Sequence, residues 1–139
     1  MAMTKPTDKR SRLRELADRY KLGREDFFKI HNSVIVRRAG VEKIAIAAKI
    51  KLRYEVIHID LAQKHACVKC VAHQVLEDGT VIARAESFGE STPYNTKNAY
   101  PVSMAEKRAK ARAILQLTEF YSEGVYSEDE ADDFKNPNK

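Results

Sequence analysis

The dipeptide Asp78-Gly79 constrains this chain more than any other pair of residues, because it separates two alternating runs that read together as one β-hairpin over residues 66–88. A turn of this kind sets the register. Pairing Leu76 with Val81 and stepping by two places Gln74 against Ala83, Ala72 against Ala85 and Cys70 against Ser87, which makes one face small and mostly apolar. The other face carries Lys69, His73, Arg84 and Glu86. A face of alanine, cysteine and serine suits close approach by a helix with a small ridge of its own.

Residues 103–117, SMAEKRAKARAILQL, supply such a helix. Ser103 and Glu106 have capping-box spacing, and Pro101 separates the helix from the loop before it. Ala105, Ala109 and Ala113 form the ridge expected to dock on the hairpin, while Met104, Ala111 and Leu115 fall on one apolar line. Arg108 and Arg112 lie about 40° to 80° around from Met104, beside apolar and small residues rather than opposite them. A guanidinium keeps its charge, so these two either pair with carboxylates such as Glu86 or Glu90, reach past the apolar stripe to solvent, or are reserved for phosphate. Lys107 and Lys110 read as solvated charges or as an edge of the same basic field.

Upstream, Leu13, Leu16, Ala17 and Tyr20 repeat at helical spacing, with Arg12, Arg14, Arg19 and Lys21 outside and Gly23 as the stop. Residues 33–38, SVIVRR, read as a short strand, and Gly40 opens a helix in which Val41, Ile44, Ala45 and Ala48 share a face. Arg37 and Arg38 therefore stand where a strand hands over to a helix N-terminus, a place that attracts phosphate, with Lys43 nearby. Residues 52–60 alternate as a further strand. The expected fold is α+β: an antiparallel β-meander of three to four strands packed against a long C-terminal helix, with an N-terminal helix and a short helix after the first strand. The expected organisation is a basic arm and helix over 1–26, a core over 27–121 and an acidic disordered tail over 122–139.

The net charge of +5 hides a division. Residues 119–139 hold seven acids against Lys135 and Lys139, a balance of −5, which leaves 23 basic and 13 acidic residues, or +10, for residues 1–118. A field of that strength points to a polyanionic partner, and the acidic tail could shield it or recruit a protein. No apolar run approaches the roughly 20 residues needed to span a bilayer, and no signal-peptide core follows the basic N-terminus, so the expected location is cytoplasmic with no membrane partner.

His65, Cys67, Cys70 and His73 look like metal ligands until strand geometry is imposed. Cys67 and Cys70 then point to opposite faces, and His65 and His73 stand roughly 26 Å apart at about 3.3 Å per residue. The same alternation argues against a redox CxxC pair. The five glycines form neither GxGxxG nor GxxxxGK, no serine sits in a nucleophile elbow, and the carboxylates show no metal-cluster spacing, so no cofactor and no catalytic residue is expected. A metal-dependent nuclease would need carboxylates gathered only by folding. The loop over 89–101 is rich in turn formers and should move in the absence of a ligand. Its Tyr94 and Tyr100 could stack on bases.

The run CVKCVAHQVLEDGTVIARAESFGEST followed by AEKRAKARAIL resembles the single-strand annealing recombinases, the eukaryotic Rad-type annealing protein and its phage and bacterial relatives, over roughly residues 33–118. The resemblance implies a sheet packed on a long helix, subunits side by side in a ring or filament, and single-stranded DNA annealed without ATP in a basic groove between sheet and helix. Arg112 matches the family's basic residue at its RAL-like step, with Ala111 where relatives often carry lysine, and Arg38 resembles its strand-to-helix arginine. The residues expected to hold phosphate are thus Arg37, Arg38, Lys43, Arg108 and Arg112. The alternative is a protein-interaction module with a recruiting acidic tail and an incidental basic surface.

Overall fold

Two small sheets share one long helix in the computed structural model, which describes residues 9–95 and 99–130. Helix α1 (Lys9–Arg19) leads to a short hairpin of β1 (Phe27–Ile30) and β2 (Ser33–Val36), followed by α2 (Arg38–Ala47). A meander of β3 (Ile50–Asp60), β4 (His65–Val75) and β5 (Val81–Ser91) then precedes α3 (Pro101–Leu117) and the short strand β6 (Val125–Ser127). The mixed α+β class and the packing of the meander on the C-terminal helix are as the sequence predicts.

The register predicted from Asp78-Gly79 holds at Cys70–Ser87, Ala72–Ala85 and Gln74–Ala83. It departs at the turn itself, where Val75 rather than Leu76 is the Cα partner of Val81 and an irregularity follows Gln74. The small face meets the alanine ridge as expected: Ala66, Val68, Cys70 and Ala72 pack on Ala105, Ala109 and Ala113. Gly89 completes that contact. A Cβ built there would lie 2.1 Å from the Ala105 carbonyl oxygen and 2.3 Å from the Ala109 amide nitrogen, so the β5 backbone rests directly on α3.

The opposite side of α3 buries Ala111, Ile114 and Leu115 in a second core with Leu16, Val36, Ile44, Phe120 and Val125. The second sheet, ordered β1-β2-β6, was not anticipated beyond β2. Its β6 runs parallel to β2, with Val34, Ile35 and Val36 paired to Val125, Tyr126 and Ser127. The expected disordered tail from residue 122 is therefore corrected as far as Glu130. Val125 and Ser127 are fully buried, and residues 128–130 form a 3-10 turn in which Asp129 and Glu130 are also buried. Residues 131–139 lie outside the described residues.

Three expected boundaries also shift. Pro101, not Ser103, occupies the start of α3, where its fixed φ suits the first turn and its missing N–H costs nothing; no side-chain cap is present. Helix α1 ends at Arg19, and the left-handed residue that closes it is Lys21 rather than Gly23: Lys21 takes φ 62°, Leu22 N–H bonds to the Ala17 carbonyl, and Lys21 N–H bonds to that of Asp18. Helix α2 begins at Arg38, two residues before Gly40, whose missing side chain admits Val36.

Candidate nucleic-acid interface

Three of the five predicted phosphate binders converge on one acidic turn of the same chain. Arg38 opens α2; its backbone amide donates to Glu128 Oε1 and its Nε to Asp129 Oδ1, each at 2.8 Å. The hydrogen bond to Asp129 holds the Arg38 pKa above its usual value against partial desolvation. Arg112, one turn beyond Arg108 on α3, places Nε 3.2 Å from Glu130 Oε1 and donates from Nη1 to the Phe88 carbonyl at 2.8 Å. The Glu130 side chain is 6% exposed, so this pair sits at the edge of the core.

Arg108 is buried and acts as a bracket. Its Nη1 donates to the Glu90 carbonyl at 2.9 Å and to Asn95 Oδ1 at 3.0 Å, Nη2 donates to the Asn95 carbonyl at 2.7 Å, and Nε donates to the Asp129 carbonyl at 3.3 Å. The guanidinium thus joins the end of β5, the following loop and the acidic turn. It is buried and held by three backbone carbonyls and the Asn95 side chain rather than by the carboxylates of Glu86 or Glu90, so it is not the exposed phosphate contact that the sequence suggests.

Lys43 and Arg37 go elsewhere. The Lys43 ammonium lies 3.0 Å from Asp26 Oδ2, and Asp26 is buried at the foot of the β1–β2 sheet. Lys43 therefore neutralises a core-edge acid, which the sequence did not single out. Arg37 caps α2 from outside: its amide donates to the Asp26 carbonyl and its exposed guanidinium stacks 4.6 Å from the centre of the Phe28 ring. Such a stack is worth about 0.5–1 kcal/mol at an exposed site.

Between α2 and α3 a cleft of about 130 Å³ is lined by Arg38, Val41, Glu42, Lys107, Lys110 and Asp129. Lys110 pairs with Glu42 across it. Among the described residues, neither Arg37 nor Lys107 forms an ion pair, and Arg38 keeps half its side chain exposed. The solvent-facing cations of this region are thus Arg37, Lys107 and, with its Nε on Asp129, Arg38; the sequence reads Lys107 as a solvated charge or an edge of the same basic field. Tyr94 and Tyr100, at 85% and 71% exposure, are the most solvent-exposed rings of the loop before α3.

The two thiols occupy opposite faces of β4, with Cys67 opposite His58 and Glu90, and Cys70 opposite Tyr54 and Ser87. Burial pushes both upward, Cys70 to about 11. They are protonated at neutral pH and poorly suited to act as ligands or nucleophiles without a further activating charge. Among the described residues, no three His, Cys, Asp or Glu side chains gather within reach of one metal ion, and no helix is long and apolar enough to cross a membrane. Comparison with protein-family models, curated proteins and solved structures finds no match.

Proposed function

We propose that this chain binds single-stranded DNA through its phosphates and anneals complementary strands without ATP, in recombination or repair of the phage or mobile-element type. The observation that carries this reading is the cationic rim of the α2–α3 cleft, where Lys107 stands exposed beside Lys110 and Arg38 keeps half its side chain in solvent while its Nε rests on Asp129, with Arg37 one residue away. Backbone recognition by such a rim leaves base edges free to pair, which annealing requires. A body of +10 over residues 1–118 supplies the long-range attraction.

Subunits associating side by side in a ring or filament belong to the same proposal. The meander offers β3 and β5 as its two outer strands, eleven residues each and, among the described residues, paired with a strand on one side. Unpaired edges of that length are templates for another strand. The interaction-module reading has its own support in Val56, Ile57 and Leu61, which lie 49–64% exposed along and just beyond β3.

Salt-titrated binding to single-stranded and duplex DNA, run with an ATP-free annealing assay, tests the proposal. Single strands should bind more tightly than duplex and complementary strands should pair faster with protein present. Replacing Arg38 and Lys107 together by Gln should flatten the slope of log affinity against log salt by about 1.4, at roughly 0.7 per phosphate contact. Equal affinity for duplex, or pairing no faster than in buffer, removes annealing and favours the module.

A further inference from the structure

We infer that the Glu128–Glu130 turn is an internal stand-in for a phosphodiester, and that a single strand binds by displacing it from the arginines. This rests on the nucleic-acid reading and assigns its regulation to the chain itself. Three successive acidic residues meet arginines from two helices: Glu128 takes the first amide of α2, Asp129 takes the Arg38 guanidinium at 2.8 Å, and Glu130 faces Arg112 at 3.2 Å. A carboxylate at a helix N-terminus with a guanidinium on its neighbour reproduces what a phosphate group would find there.

The attachment allows an exchange. Strand β6 is anchored by fully buried Val125 and Ser127 and by its pairing with β2, so Ser127 is the last residue fixed by strand pairing, and the turn beyond it is held by its contacts to Arg38, Arg108 and Arg112. Arg108 keeps its bonds to Glu90 and Asn95 when the Asp129 carbonyl leaves, so the bracket under the loop survives. A phosphodiester gives Arg38 and Arg112 new anions in place of those withdrawn, and no guanidinium is left buried and unpaired at any stage. Because the turn is tethered, it competes at high effective concentration. A short oligonucleotide with one or two phosphates in reach loses to it, and a strand that also engages Arg37 and Lys107 wins.

Two measurements on the full chain test this, with oligothymidylate as the probe. The variant Glu128→Gln/Asp129→Asn/Glu130→Gln should bind the probe roughly five- to thirtyfold more tightly than the parent at the same salt, the combined effect of one helix-terminus contact and two ion pairs whose arginines are partly exposed. In the parent, saturating probe should speed amide hydrogen exchange at residues 128–130 while residues 125–127 stay protected. Unchanged or weaker binding by the variant, or a turn equally protected with probe bound, overturns the inference while leaving DNA binding in place. Absence of probe binding by both proteins overturns the DNA reading and this inference with it. Should the variant fail to fold, exchange in the parent decides alone.

Discussion

The two cores on either side of α3 are built on opposite principles. Toward the meander the helix presents Ala105, Ala109 and Ala113 to alanines, a cysteine and Gly89, so backbones nearly touch. Toward the other side it presents Ile114 and Leu115 to Leu16, Ile44 and Phe120, and Tyr20 packs on Phe120 with ring centres 5.8 Å apart. One interface is stabilised by proximity and has no room to grow; the other is stabilised by side-chain volume and has nothing to spare. The same helix thereby holds the candidate phosphate site between a rigid contact and a filled one.

Opposite substitutions should break the two sides. Gly89→Ala adds one methyl where backbone atoms of Ala105 and Ala109 stand within 2.3 Å of its position, and flexible side chains cannot yield there. A loss of about 3 kcal/mol or more is expected, the upper end of overpacking costs, read as an urea midpoint shift. Leu16→Ala, which removes volume from the other core, should cost about 3 kcal/mol by leaving a cavity. If Gly89→Ala proved neutral, α3 would have to slide freely over the sheet, and the contrast between the cores would be lost.

Arg108 and Arg112 sharpen the comparison at the site itself, because one turn of helix separates a bracket from an ion pair. Arg108→Gln abandons carbonyls of Glu90, Asn95 and Asp129 in a dry setting, a loss of about 2–3 kcal/mol that thermal unfolding reports. The salt dependence of single-strand binding should remain unchanged, since a buried bracket releases no counterion. A flattened slope with unchanged stability would reverse that assignment and make Arg108 a phosphate contact.

What could be read from the sequence follows the same divide. The hairpin register and its docking helix are local: a two-residue turn fixes one, and alanines at i, i+4 and i+8 announce the other. The second sheet depends on β2 finding β6 about 90 residues later, through strands of four and three residues that carry no periodicity to speak of. The acidic stretch SEDE therefore reads as solvated tail, although its real neighbours are Arg38, Arg108 and Arg112. Position was legible where chemistry was not. Arg37 and Arg38 do stand at a strand-to-helix junction, yet no local signal shows that Glu128 already fills the anion position beside them. The hydrophobic residues Val125 and Tyr126 just before SEDE were the one available hint, since a solvated tail has no use for them.

The smallest expected effect concerns Asp26, where the two halves of the β2–α2 junction are tied to the small sheet. Burial opposes its ionisation, but hydrogen bonds from the Gly23 amide at 2.9 Å and from Lys43 at 3.0 Å outweigh it, so the folded pKa lies below the ordinary 3.8. An acid depressed on folding binds fewer protons in the folded chain than in the unfolded one. Its contribution is therefore present at neutral pH, begins to fade near pH 4 and is lost as the pH falls through the folded value. Asp26→Asn should cost about 1–2 kcal/mol at pH 7. The gap between variant and parent should close below about pH 4 in a melting-temperature series. A constant gap across that range would mean that Asp26 stabilises the junction through shape and not charge.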